Sequence, residues 1–163
     1  MLRTLYIEET AIHKGIAQTV WLGRMTKVAE HPYIYVDGAH NVAAWEYLRT
    51  SVEKYFTNRR VIYIIGVLKD KEYEKMVEIL APTMAAAVVV TPDTPRGLPK
   101  EILAPLIQAQ GVSVQLADTS AEALQKAREQ AGETGVILVS GSLSFLAEYL
   151  QLESGDENNG ASR

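Results

Sequence analysis

The stretch that decides the reading is YIYVDGAHNVAAWEYL, Tyr33–Leu48. It opens on Tyr33, Ile34, Tyr35 and Val36, aromatic and β-branched residues that favour a strand. From Val42 the period changes. Val42, Trp45, Leu48, Val52 and Phe56 recur every three or four residues, as the apolar stripe of a helix does. At the junction stand Asp37, His40 and Asn41. Open parallel sheets bind ligands beyond the C-terminal ends of their strands. Gly38 allows close backbone approach, and the start of a helix favours an anion. The same residues also have plain structural uses. Asp37 could accept loop N–H bonds, Asn41 could cap the helix, and His40 could pack under a loop.

Upstream, Met25–Ala29 and Tyr33–Val36 read as two strands separated by a very short link. A link that short makes a hairpin and cannot be a crossover. Further upstream, Ile12, Ile16 and Val20 suggest a short helix over Glu9–Trp21. Downstream, strands and helices alternate. RVIYIIG, AAAVVVT, VSVQLA and GVILVSG read as strands. DKEYEKMVEILA reads as a helix with Asp70 a candidate cap. KEILAPLIQAQG reads as a short helix that Pro105 should interrupt unless it opens only the later part. Thr119 and Glu122 fit a capping box for SAEALQKAREQAG, and SLSFLAEYL begins a last helix. This alternation predicts an α/β, Rossmann-like three-layer domain, with a mostly parallel sheet and one antiparallel edge strand from the hairpin.

Composition excludes several classes. At 163 residues the chain is long enough for one domain with a substantial core. A net charge of −4 and the lack of a long Lys/Arg patch give no footprint for nucleic acid. No apolar stretch reaches membrane-spanning length, and a cytoplasmic protein is expected. Without cysteine there is no disulfide, thiol nucleophile or thiolate metal site. The histidines, His13, His31 and His40, have no zinc spacing. No phosphate-binding loop, dinucleotide fingerprint or nucleophile elbow occurs. Polar residues do gather at the expected strand ends: Asp37, His40 and Asn41; Lys69 and Asp70; Thr91, Asp93, Thr94 and Arg96; Asp118; Ser140 and Ser142. Arg24 stands at the start of the first strand, where a surface ion pair is the simple account. Capping is the simple account of Ser142. These residues support a polar rim, not a complete enzyme.

Five segments together resemble a known family. TVWLGRMTKV, YVDGAHN, IGVLKDKEYEKMVEILAP, VVVTPDTPRGLP and VILVSGSLSFLAEYL follow, in order, segments of the C-terminal domain of folylpolyglutamate synthase. That enzyme is Mur-ligase-like and is often also a dihydrofolate synthase. The resemblance implies a Mur-ligase-like C-terminal domain over residues 1–152 and a flexible tail over 153–163. It implies part of an ATP-dependent ligase that adds L-glutamate to a folate through an acyl phosphate, and makes dihydrofolate from dihydropteroate in bifunctional members. ATP and Mg²⁺ would be held mainly by an N-terminal domain, the partner over which this one closes. By the same resemblance, Arg24 and Asp37 fall on nucleotide-binding positions, and His40 and Ser142 on the glutamate site. No catalytic residue or metal ligand is implied here, and the chain alone should have negligible ligase activity. Leu22, Val42 and Ser144 depart from the family pattern, which usually has proline, proline and an aromatic at these positions. The competing readings are a stand-alone interaction or regulatory module without catalysis, and a small hydrolase using His40 and Ser142.

Overall fold

The computed structural model describes residues 24–142 and 146–149. The helix expected over Glu9–Trp21, the tail 153–163, Leu22 and Ser144 lie outside them. The hairpin forms as its short link demands. Strand β1 (Thr26–Glu30) pairs antiparallel with β2 (Tyr33–Asp37) across His31 and Pro32. Helix α1 (Val42–Tyr55) follows β2, with Asn41 as its cap. Then come β3 (Val61–Ile65), α2 (Tyr73–Leu80) and β4 (Ala86–Val89). After these lie α3 (Lys100–Ala109), β5 (Ser113–Leu116), α4 (Ser120–Ala131) and β6 (Val136–Ser140). Residues 146–149 are helical. No helix among the described residues is long and apolar enough to cross a membrane.

The sheet order is β1-β2-β6-β3-β4-β5, parallel throughout except for the β1 edge. The last strand is therefore inserted between β2 and β3. Side chains alternate across a strand, and here the alternation divides two cores. Val61, Tyr63, Ile65, Ala87, Val89, Val136 and Leu138 pack with α1, α2 and α3. Ile62, Ile64, Ala86, Val88, Ile137 and Val139 pack with α4 and the helical residues Leu146 and Tyr149. Helices on both sides explain why β3, β4 and β6 are apolar at nearly every position. β5 is the outer strand and is mostly exposed.

Two local expectations fail. Asp70 does not cap α2. Glu72 holds that position without a side-chain bond, and Asp70 instead pairs with Arg96 at 2.6 Å. An available guanidinium outcompetes a helix terminus for a carboxylate. Pro105 does not interrupt α3, which runs through it. The apolar face carrying Leu103, Ala104 and Ile107 is fully packed, while Pro105 lies on the exposed side. Burial of that face outweighs the lost hydrogen bond, and solvent can reach the orphaned carbonyl. Replacing Pro105→Ala should restore the bond and stabilise the domain by about 1–3 kcal/mol. Urea unfolding checks this, and no gain would mean that α3 is already relaxed around the ring.

Candidate functional site

The register brings the candidate residues together. Ser140, at the end of β6, stands beside both Asp37 of β2 and Ile65 of β3. Because β1 is antiparallel, its N-terminal approach through Arg24 and Met25 reaches the same end of the sheet. Asp37 ends β2, His40 follows three residues later, and Ser142 follows Ser140 by two. Arg24, Asp37, His40 and Ser142 thus share one rim; the alternation of elements predicted this of the last three, and the family resemblance added Arg24.

Asp37 is 9% exposed, and both of its oxygens are engaged. Oδ1 accepts the Ala39 N–H at 2.9 Å and Oδ2 accepts the Met25 N–H at 2.8 Å. Met25 takes φ 44°, a conformation few non-glycine residues adopt. Burial raises the Asp37 carboxyl above its usual range. The Ala39 and Met25 N–H groups and the Arg24 charge pull the other way. The structural use of Asp37 is therefore realised. Each carboxylate oxygen can accept more than one hydrogen bond, so acceptor capacity remains at the rim.

His40 is half-buried, and its Nδ1 lies 2.7 Å from the Gly38 carbonyl. A carbonyl can only accept, so Nδ1 carries the proton and Nε2 is left for a second partner. Asn41 is a cap, accepting the Ala44 N–H at 2.9 Å. Val42 is then the first helical residue, where proline is favoured because its N–H is not needed and its φ is already helical. Valine at that position keeps the same helix start. Arg24 is exposed. Ser142 is 3% exposed, and its carbonyl accepts the Leu146 N–H at 3.2 Å.

Gly141, between the two serines, has φ 123°. A Cβ there would lie 2.3 Å from the Gly66 carbonyl. Both the conformation and the close approach require glycine. The sequence marked this position only as part of a short Ser-Gly-Ser run. Trp45 read as core, and it is fully buried, but its indole Nε1 also donates to the Ala39 carbonyl at 3.0 Å.

The other strand-end residues form a separate group. Arg96 holds the exposed Asp70 carboxyl below its usual range. Lys100 pairs with Asp118. Thr119 accepts the Glu122 N–H at 3.1 Å, while Glu122 reaches back to the Asp118 N–H at 2.7 Å, one residue earlier than a capping box has it. Beyond β4 and β5 lies a cavity of about 640 Å³, lined by Thr91, Asp93, Thr94, Asp118, Ser120 and Glu148 among others. It includes none of Arg24, Asp37, His40 and Ser142. Among the described residues no group of His, Cys, Asp or Glu could hold a metal ion.

Known proteins are similar to this chain in sequence and fold. Residues 23–143 match the family model described as Mur ligase, glutamate ligase domain. The dihydrofolate synthase/folylpolyglutamate synthase of Bacillus subtilis is 28% identical over 144 residues, covering 88% of this chain and 33% of that protein. The structure of Escherichia coli FolC in complex with DHPP and ADP superposes with a TM-score of 0.85 at 29% identity, covering 94% of this chain and 36% of that one. The Yersinia pestis bifunctional folylpolyglutamate synthase/dihydrofolate synthase with Mn, AMPPNP and L-glutamate bound has a TM-score of 0.81 at 25% identity, with 91% and 35% covered. The chain thus spans about a third of the length of these relatives.

Two outcomes follow from the geometry. Gly141→Ala should destabilise the domain by about 2–5 kcal/mol, through backbone strain and overpacking against Gly66; denaturant unfolding reads the loss. A milder effect would mean that the β6 and β3 ends separate easily. The raised Asp37 pKa means that the folded state binds this proton more tightly than the unfolded chain does. Its contribution to stability is therefore full below the ordinary value of 3.8 and is lost as pH rises through the folded value. The stability difference between the parent and Asp37→Asn should fall over that window and then level off. A flat difference would show that Asp37 titrates normally.

Proposed function

The chain belongs to the Mur ligase family, in its glutamate ligase domain, and from that premise we propose that it is the C-terminal domain of an ATP-dependent ligase joining L-glutamate to a folate. The observation that carries the reading is the convergence of Arg24, Asp37, His40 and Ser142 from separate parts of the chain on one rim. The names of the relatives supply the substrate class, a folate and glutamate.

The chemistry suits these side chains. The Arg24 guanidinium offers a planar fork of donors that matches phosphate oxygens. Asp37, with its ionised form supported by two N–H bonds, is an acceptor for ribose hydroxyls. His40 and Ser142 would meet the incoming amino acid, His40 through Nε2. In such a ligase the folate carboxylate takes the γ-phosphoryl group of ATP to become an acyl phosphate, with ADP leaving; the glutamate amine then attacks its carbonyl carbon, phosphate leaves with the bonding pair, and the nitrogen gives up a proton. Water would destroy that intermediate. Closure of this domain over the nucleotide-bearing domain would exclude it. The chain has no phosphate loop, and its described residues hold no metal-binding group. By the family resemblance, the phosphates and Mg²⁺ would be held mainly by the partner domain. Residues 1–152 would be the domain proper, and 153–163 a tail outside its chemistry.

A ligation assay with ATP, a folate and L-glutamate tests the reading. Neither this chain nor the ATP-binding domain should form amide alone, and the ligase containing both should. Ligation that proceeds without this chain would overturn the proposal and favour a non-catalytic module. Within the ligase, Arg24→Ala should raise KM for ATP by about 10-fold or more, the worth of a charge-assisted hydrogen bond. Ser142→Ala should act on KM for glutamate instead.

A further inference from the structure

Two successive peptides of the turn bearing Asp37 and His40 are pinned. The Gly38 carbonyl receives the His40 ring, and the Ala39 N–H is held by Asp37. The Ala39 carbonyl accepts two bonds, from the Trp45 indole at 3.0 Å and from the Ser140 hydroxyl at 3.4 Å. Both donors belong to fully buried residues. One comes from the first turn of α1 and the other from the end of β6. A peptide unit is planar, so holding the Ala39 carbonyl also fixes the direction of the His40 N–H and the place of its Cα, from which the side chain springs.

We propose that Trp45 and Ser140 are positioning residues: by both donating to the Ala39 carbonyl they hold the turn that carries Asp37 and His40. The role assigned to His40 rests on the ligase reading. The grip itself does not. Buried indole and hydroxyl groups need acceptors wherever they lie, so the contacts alone could serve stability only. What distinguishes this pair is the choice of acceptor. Both donors converge on the one carbonyl whose peptide leads into His40, although they approach from different elements. If the grip is loosened, the ring should lose its fixed relation to the Gly38 carbonyl, and the Nδ1–H form should lose its preference.

The test has two arms. Trp45→Phe removes the indole donor and keeps an aromatic body. Ser140→Ala removes one oxygen and carries the test if the first variant does not fold. Val52→Ala is the control, since it weakens α1 packing in the same core and removes neither donor to the Ala39 carbonyl. In the full chain, long-range proton–nitrogen correlation spectra of the neutral His40 ring report its tautomers. The parent and Val52→Ala should show the Nδ1–H form. Trp45→Phe and Ser140→Ala should shift the ratio toward Nε2–H by about fivefold, the worth of one ordinary hydrogen bond. In the ligase, the same two variants should raise KM for L-glutamate by a similar factor of about five, with Val52→Ala unchanged. Unaltered tautomers in the folded variants would overturn the inference. A shifted ratio in a ligase that does not use glutamate would uphold the grip and defeat the functional reading. A shifted ratio with unchanged KM in an active ligase would show that the grip is structural only.

Discussion

The candidate site depends on the insertion of β6 between β2 and β3. A parallel strand in that slot must satisfy ladders on both sides, and its register is fixed by both neighbours. Ser140 therefore arrives beside Asp37 on one side and Ile65 on the other. From that single level the loops depart: the Asp37–Asn41 turn from β2, the Gly66 turn from β3 and the Gly141–Ser142 turn from β6. Gly141 is where two of them nearly touch, and only a residue without a side chain fits. A slip of one residue in β6 would exchange its two faces between the two cores. The apolar packing on each side thus holds the rim in register from a distance.

Asp37 shows how structure and chemistry share one group. Burial disfavours its charge, and two backbone N–H groups and Arg24 favour it. The outcome is a carboxylate locked in orientation, with its oxygens already aligned before any ligand comes. A freely rotating aspartate would lose rotamer entropy on binding. Here that cost is met when the domain folds. His40 follows the same pattern, because its bond to the Gly38 carbonyl settles which ring nitrogen is free. The structural reading of these residues and the functional one are therefore not rivals. The local bonds are what make the groups suitable for recognition.

Much was legible in the sequence where a signal is local and strong. The hairpin link is too short for any other connection, and the change from strand to helix period at Asp37–Asn41 is abrupt. Asn41 and Thr119 cap as their residue types favour. Legibility failed where a distant partner intervened. Asp70 lies just before α2 and reads as its cap, but Arg96 is far away in sequence and claims it. Pro105 reads as a break, but the side it occupies is exposed and the opposite side is packed. Trp45 reads as core and is core, and periodicity says nothing of its indole N–H.

The sequence by itself determined the element types, the antiparallel edge, the apolar strands covered on both faces and the family pattern of five segments, because these rest on periodicity and on residues adjacent in the chain. Only the tertiary structure decided that β6 closes the gap between β2 and β3, that the Met25 N–H meets Asp37 from the opposite strand direction, and that the Ala39 carbonyl is shared by Trp45 and Ser140. The last of these joins residues 101 positions apart. Such meetings depend on which strand pairs with which, and that is settled by filling two cores at once, a condition on the whole chain that no short window contains.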